Sequence, residues 1–519
     1  MKKVRLVSLP NLRDAAKRNS DVRIEYKEAD LKPTSFLTSW GSGKIFVIRT
    51  YGCQANVRDS EIIRGYLLSL GMKESDDFNE ADFILFNTCA VRENAENHLY
   101  GELGAAKKRY EKNNGTVIAI CGCVMQEEVP VKYVLEHFPF ISLIFGTHNI
   151  PAFYSLLEDS IKNNVLIVDV KANSNQIVEE KKVINKSRAS KITAFVNIMY
   201  GCDKFCTYCI VPYTRGKERS RKEEDIISEV KCLIDEGYKQ VTLLGQNVDA
   251  YGKDFGDKYA FAGLLEKVAQ TGIERVRFTT PYPSDFNPEV FKVMAKYPNI
   301  MPCIHMPLQS GSNNVLKRMN RRYTREQYLD IIKDLKNSNP DIFITTDIIV
   351  GFPGETDQDF EDTMSLVDEV KYDSAYTFIF SPRPGTPAYH MKNDLTDEVI
   401  HARFDRLKKK VDSLTEERSK TFLGKEVKVL FESVSKKNEE MITGYEEHGK
   451  LVHVKGDLSL IGQIRRVKIV ESHTFSLLGE LIDEWKRWII KRSWRFSFFS
   501  SLTSSLSKIC FFKKIYSWR

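Results

Sequence analysis

A chain of 519 residues, 42% hydrophobic and 28% charged, has the length for about three domains of ordinary size and enough apolar residues for their cores. Its ten cysteines are unevenly grouped, which excludes the disulfide framework of a small secreted protein; neither a signal peptide nor a run of eighteen apolar residues is present, so the chain reads as cytoplasmic and off the membrane. The net charge of +7 comes from the last stretch: residues 485–519 carry nine Lys or Arg and no acid, and 7 less 9 leaves the rest at −2, so overall basicity is no sign of nucleic acid.

In chain order, residues 1–43 are charged and aperiodic and read as a disordered leader. Residues 44–168 alternate strand and helix patterns. Three apolar strands run up to Cys53, Cys89 and Cys123, separated by 36 and 34 residues, the length of one strand-helix unit. A doubly wound parallel sheet gathers the carboxyl ends of its strands along one edge, where ligands bind, so these three thiols can converge on one iron–sulfur cluster. A lone cysteine is more often a small buried hydrophobe; three at equivalent places point to a site. Cys121 competes with Cys123, which is preferred because a glycine precedes it, as one precedes Cys53 and Cys202. Cys232, Cys303 and Cys510 read as structural.

Residues 169–190 are polar and read as a linker. From 191 to 420, six strand patterns (Ala194 to Met199, Gln240 to Leu244, Arg275 to Thr280, Cys303 to Leu308, Ile342 to Val350, Ala375 to Phe380) alternate with helical ones, which predicts a partial (βα)6 barrel. Directly after the first strand stand Cys202, Cys206 and Cys209 at C-x3-C-x2-C spacing. Three thiolates hold three irons of a 4Fe-4S cubane and leave the fourth open to a cofactor; structural zinc wants four closed ligands and is the weaker reading. Two basic runs, Arg215 to Arg221 and Lys317 to Arg322, offer either a phosphate path or a solvated face. Residues 421–484 alternate in short segments and predict a small C-terminal β-barrel of the kind that binds oligonucleotides, with a structural cap as the other reading. Residues 485–519, with four of the five tryptophans, form an atypical basic and aromatic tail, read either as a nucleic-acid or membrane-surface arm or as sequence without defined structure.

Taken together, the three-cysteine α/β domain, the C-x3-C-x2-C barrel and the small β-domain resemble the radical S-adenosylmethionine (SAM) methylthiotransferases over roughly residues 44–481. The segments Tyr51 to Asn56, Asn87 to Glu93, Phe145 to Ile150 and Asn197 to Arg221 are similar to the tRNA branch of that family. The resemblance implies methylthiolation of carbon 2 of N6-isopentenyladenosine beside the tRNA anticodon. It also implies two 4Fe-4S clusters, a radical-generating one on Cys202, Cys206 and Cys209 and a sulfur-donating one on Cys53, Cys89 and Cys123, these six being the catalytic and metal-binding residues. SAM is the implied cofactor, with Tyr208, Gln246, Asn247, Gly351, Gly354 and Glu355 as candidates for its pocket. The C-terminal barrel corresponds to the family's RNA-binding TRAM domain. The expected partners are the isopentenylated tRNA and an electron donor such as a flavodoxin or ferredoxin, and the chain is expected to act as a monomer. Pro281-Tyr282 departs from the family's Ser-His, Ala55 from Met, and Val124-Met125 from Met-Ala or Met-Ser. Two other readings remain: a catalytically impaired iron–sulfur RNA-binding protein, and a methylthiotransferase acting on a ribosomal protein or on threonylcarbamoyl-adenosine in tRNA.

Overall fold

The computed structural model describes residues 2–17, 24–28, 32–91, 93–179, 188 and 190–482. The tail at 485–519 with Cys510, Arg92 and most of the second half of the expected linker lie outside the described residues. The chain divides into two compact units, the first ending at Arg418 and the second beginning at Ser419.

The first unit opens on a parallel sheet of seven strands in the spatial order Lys3–Ser8, Val165–Asp169, Leu143–Phe145, Val117–Gly122, Phe83–Thr88, Ile45–Thr50, Lys73–Glu74. Successive strand residues point to opposite faces, and here both faces are covered. Phe83 and Leu85 pack under the helices Gln54–Ser69 and Phe153–Asn163 with Tyr66 and Phe153, while Ile84 and Phe86 pack on the other side with Leu99, Leu103 and Ile120. That two-sided burial explains why these strands read as continuous apolar runs. The strands leading to Cys53, Cys89 and Cys123 are adjacent. Thr50 pairs with Asn87 and Thr88 with Gly122, so their carboxyl ends are level and neighbouring strands stand roughly 5 Å apart.

Two expectations change. The stretch read as a disordered leader contains the edge strand Lys3–Ser8, which pairs in parallel with Val165–Asp169, and the helix Leu12–Ala16, whose Asn11 cap accepts from the Asp14 amide at 3.0 Å. It also contains the helix Ser35–Gly41, capped by Thr34, with Leu37 fully buried. The expected linker contains Gln176–Glu179, paired with Glu25–Glu28. An edge strand of this kind is held by its backbone, and the side chains of Lys3–Ser8, Val4, Leu6 and Val7 included, are largely exposed.

The barrel is built from two three-stranded parallel sheets, Thr193–Asn197 with Gln240–Leu244 and Arg275–Phe278, then Cys303–His305 with Phe343–Val350 and Ser374–Ile379. A parallel bridge from Val276 to Ile300 leads from the first sheet toward the second. Helices Glu223–Asp235, Ala260–Gln270, Glu289–Lys296, Arg325–Ser338 and Asp357–Val370 cover the outside and share one core with the strands. A (βα)6 arrangement is present, open where a full barrel would close.

The second unit is a closed antiparallel-rich barrel of Glu426–Val434, Met441–Glu446, Leu451–Lys455, Ser476–Leu481 and Ile464–Ser472, in that order around the ring. Three of its strands coincide with the sequence pattern. Met441–Glu446 contains Gly444, where a side chain would overlap the Leu430 carbonyl across the ladder. The carboxylate of Glu446 is fully buried and closes the next turn by accepting from the amides of His448 and Lys450 at 2.8–3.0 Å.

Candidate functional site

The first triad sits on the loop after Thr193–Asn197, and its backbone is held by hydrogen bonds from neighbouring loops. Gly201 has φ +77 and its Cβ would overlap the Lys217 carbonyl, so only glycine allows the two chains to approach. The Gly201 amide donates to Gln246 Oε1 at 2.6 Å, the Cys202 amide to the Gly216 carbonyl at 3.1 Å, and the Cys209 amide to the Cys206 carbonyl at 2.9 Å. Phe205 takes the left-handed conformation at φ +48, a strained choice for such a side chain. Asn320 Nδ2 offsets it by donating to the Phe205 carbonyl at 2.9 Å. Burial, with the charge on Cys206, pushes the Cys209 thiol up to about 12, and burial raises Cys202 as well.

The SAM-pocket candidates divide. Gln246 reaches the cysteine loop through Gly201, and Phe352 of the Gly351 loop lies 6.5 Å from the Tyr208 ring centroid. Asn247 is buried and donates to Asp285 at 2.7 Å, leaving its Oδ1 without a partner. Glu355, by contrast, is committed inside the turn: it accepts from the Gly351 amide at 2.9 Å and pairs with Arg403 at 2.8 Å. Gly351 and Gly354, both at positive φ, admit Ile400 and the Arg318 guanidinium where a Cβ would stand. These three shape a turn.

The second triad lies at the level edge of the sheet. Cys53 caps the helix Gln54–Ser69, where the helix dipole favours a thiolate. Its Sγ lies 3.3 Å from Asn56 Oδ1. Asn56 Nδ2 donates to Asn87 Oδ1 at 2.9 Å and to the Thr88 carbonyl at 3.1 Å, and Asn87 Nδ2 returns bonds to the Asn56 carbonyl and Ser60, both at 2.9 Å. This buried network locks the start of the helix to the strand that ends at Cys89. The hydrogen bond between the two thiols lowers Cys53 to about 5 and raises Cys89. Charge on Cys123 also raises Cys89, and Cys53 likewise acts on Cys123, which burial first of all pushes up to about 11. Cys121 points into the apolar core, fully buried, opposite Asn87.

The two triads meet through one segment. Six residues after Cys209, Arg215 donates from Nε to Cys123 Sγ at 3.1 Å and pairs through Nη1 with Asp59 at 2.7 Å; all three side chains are buried. Its Nη2 has no partner. Thr147 Oγ1 donates to the Thr214 carbonyl at 2.8 Å, and His148 lies against Gly216, so the Gly-Thr-His-Asn segment packs on the same stretch. At the first triad Arg321 plays a similar part, donating to Cys206 Sγ at 3.4 Å and to Tyr323 at 3.1 Å. Neither arginine was singled out from sequence, where both appeared only within basic runs. The expected phosphate path at Arg215 to Arg221 is overturned: Arg215, Arg219 and Arg221 are buried. Arg219 bonds the carbonyls of Ser174 and Gln176, and Arg221 that of Asn197. In the second run Lys317, Arg318 and Arg322 remain exposed.

The departures at Tyr282 and at Val124-Met125 are built into the packing. The Tyr282 ring lies 4.2 Å from the Arg321 guanidinium and 5.0 Å from Lys204 Nζ, within cation–π reach of both. Its amide donates to Asp249 at 2.8 Å. Val124 and Met125 fill the sheet core. A cavity of about 700 Å³ lined by Leu12, Arg13, Glu127, Val129, Tyr213 and Pro384 opens nearby, and Leu12 and Tyr213 also pack against the cluster of Ala90, Cys123 and Ile210. Burial raises the Glu127 carboxyl to about 8.

Among the described residues no three His, Cys, Asp or Glu are set to hold a single metal ion. The donor sets are instead two groups of three free thiols. Glycine clears the space beside them: a Cβ at Gly52 would overlap that of Cys89, and one at Gly122 would overlap the Thr88 carbonyl. Three free thiols from one site are the donor set of a cubane with one open iron.

An α/β domain with an edge triad, a partial barrel with a C-x3-C-x2-C loop and a small closed barrel define a radical SAM protein with an added cysteine site. Residues 196–367 match the radical SAM superfamily, residues 45–146 the uncharacterized protein family UPF0004, and residues 420–482 the TRAM domain. The chain belongs to the family of the tRNA-2-methylthio-N(6)-dimethylallyladenosine synthases. It is 48% identical to the one from Geobacillus kaustophilus over 476 residues, covering 92% of this chain and 89% of the relative, and 47% identical to that from Bacillus subtilis, with 92% of each covered. The radical S-adenosylmethionine methyltransferase TsrM from Kitasatospora setae shares the fold at 11% identity and a TM-score of 0.50, over 67% of this chain and 75% of that one. No helix among the described residues is long and apolar enough to cross a membrane.

Proposed function

We propose that this enzyme methylthiolates carbon 2 of N6-isopentenyladenosine in tRNA to give 2-methylthio-N6-isopentenyladenosine. The observation that carries the reading is the pair of three-thiol sites, each beside a buried arginine, in a chain of this family. When bound, the clusters supply an electron for SAM cleavage at the barrel and sulfur at the sheet edge. The chain's own residues position them. Cys202, Cys206 and Cys209 hold the barrel cluster, and Cys53, Cys89 and Cys123 the other. Gln246 fixes Gly201 and so the start of the barrel loop, and the unpartnered Asn247 Oδ1 offers SAM an acceptor. Gly351, Gly354 and Glu355 shape the wall on which Tyr208 rests through Phe352.

The TRAM barrel supports tRNA as the partner, and the exposed Arg465, Arg466 and Lys468 on one strand supply phosphate contacts. A small electron carrier such as a flavodoxin or ferredoxin reduces the clusters, and the enzyme works as a cytoplasmic monomer. The α/β domain takes in the strand Lys3–Ser8 and the helix Ser35–Gly41 besides residues 44–168, and the barrel and the β-domain run 191–420 and 421–484. A binding protein that has lost turnover is disfavoured because Tyr282 is built into the surroundings of Arg321 and leaves the barrel triad intact.

The test is nucleoside mass spectrometry of isopentenylated tRNA after anaerobic incubation with cluster-reconstituted enzyme, reductant and SAM. Appearance of the 2-methylthio nucleoside is expected. Formation of 5′-deoxyadenosine without it, on a tRNA carrying the prenylated base, would overturn the substrate assignment.

A further inference from the structure

The second triad is not completed by its own domain. Asp59 and Cys123 belong to the α/β domain, but the cation between them, Arg215, comes from the barrel, 92 residues beyond Cys123. A structural bolt between domains would need only the ion pair with Asp59. The guanidinium does more: Nε is bonded to the sulfur of a cysteine in the triad, and Nη2, buried beside it, has no acceptor among the protein atoms. A buried N–H without a partner is costly, and the group that this site is shaped to receive carries sulfur acceptors.

We propose that Arg215 is a positioning residue of the second cluster: it bonds the Cys123 thiolate through Nε, offers Nη2 to sulfur of the bound cluster, and thereby raises the cluster's reduction potential. The inference rests on the reading that Cys53, Cys89 and Cys123 hold a cluster. Reduction adds negative charge to a site already carrying three thiolates, and a fixed cation stabilises that added charge more than the oxidised state. Hydrogen bonds to cluster and ligand sulfur act in the same direction. Arginine suits the place because it stays charged and presents several donors in one plane, so one group serves Asp59, Cys123 and the cluster at once; a lysine keeps the charge and loses the fork. The arrangement also means that the second site reaches its working potential only with the barrel seated against the α/β domain.

The experiment uses the full chain with Cys202→Ala, Cys206→Ala and Cys209→Ala, so that only the second cluster forms on anaerobic reconstitution with iron and sulfide. Its midpoint potential is read by titration followed by electron paramagnetic resonance, in this background and with Arg215→Gln or Arg215→Lys added. The expected result is a negative shift in the Gln variant at equal iron content, with altered resonance positions, and a smaller shift in the Lys variant. An unchanged potential and spectrum in the Gln variant would overturn the inference. Failure of the background protein itself to bind iron would instead overturn the cluster reading. Should the Gln variant not fold, pulsed resonance on the reduced cluster in protein containing isotope-labelled arginine decides: nitrogen coupling from a guanidinium is expected, and its absence counts against the proposal.

Discussion

Single residues carry the chemistry, and their separate roles can be pulled apart. Cys206 belongs to the barrel triad, so Cys206→Ala is expected to abolish SAM cleavage, measured as 5′-deoxyadenosine. If Cys89 holds the second cluster as proposed, Cys89→Ala should leave abortive cleavage running while sulfur insertion stops; a Cys89 variant that still makes the methylthio nucleoside would contradict the division. Gly122 tests the space around the second triad. Its φ of +103 is open to glycine alone, and a Cβ there would strike the Thr88 carbonyl. Gly122→Ala should cost about 2–4 kcal/mol in denaturant unfolding and lower the iron bound at the second site. Cys202, Cys206 and Cys209 stood out in sequence by their C-x3-C-x2-C spacing after one strand, and Cys53, Cys89 and Cys123 because each follows an apolar strand at a repeating interval. Arg215 and Arg321 were not. A buried cation looks like any other basic residue until the fold brings its partner, 92 residues away for Cys123 and 115 for Cys206, within reach.

At the scale of elements, strands covered on both faces announce themselves, whereas edge and barrel strands do not. Phe83–Thr88 is buried throughout, and its apolar run was read from sequence. Lys3–Ser8 is almost wholly exposed, and charge hid it inside an expected leader. In the C-terminal barrel, Met441–Glu446 was missed because Gly444 and Glu446 interrupt the alternation, although each is needed, one for close approach and one to close a turn. On Ile464–Ser472 alternation turns Arg466 and Lys468 outward while Val467 and Ile469 fill the interior, and Arg465 is exposed beside them. Replacing all three cations by alanine should leave the barrel folded and weaken tRNA binding uniformly. Each phosphate contact contributes close to one unit of slope in log K against log salt, so the slope should fall by about 2 to 3. A slope unchanged from the parent protein would remove this strand from the RNA interface.

At the scale of the molecule's larger unit, a buried ionic cluster joins the α/β domain to the barrel. Glu229, on a barrel helix, accepts from Arg58 of the α/β domain at 2.9 Å, from Arg188 at 2.5 Å and from Arg221 at 2.8 Å, while Arg58 also pairs with Glu61 at 3.2 Å. Arg188 lies in the expected linker and Arg221 in the expected phosphate path, and both are drawn inward by this one carboxylate. Sequence could not reveal it, since the four charges come from separate elements and each looks like part of a solvated face. Burial alone would raise the Glu229 carboxyl, but the charges of Arg221, Arg58 and Arg188 outweigh it and hold the group at about 2. A depressed folded value means that the stabilisation is complete above the ordinary carboxylate value of 4.5 and is lost as the pH falls toward 2. The difference corresponds to on the order of 3 kcal/mol. Glu229→Gln keeps the shape but leaves three guanidiniums facing one another beside Glu61. Breaking a buried ion pair by removing one partner typically costs about 3–5 kcal/mol, so the variant should unfold at markedly lower denaturant at pH 7. Its deficit against the parent should shrink as both are titrated from pH 5 toward pH 2, because the parent's carboxylate is then being neutralised as well. A deficit that stayed constant across that range would show that Glu229 acts through packing rather than charge.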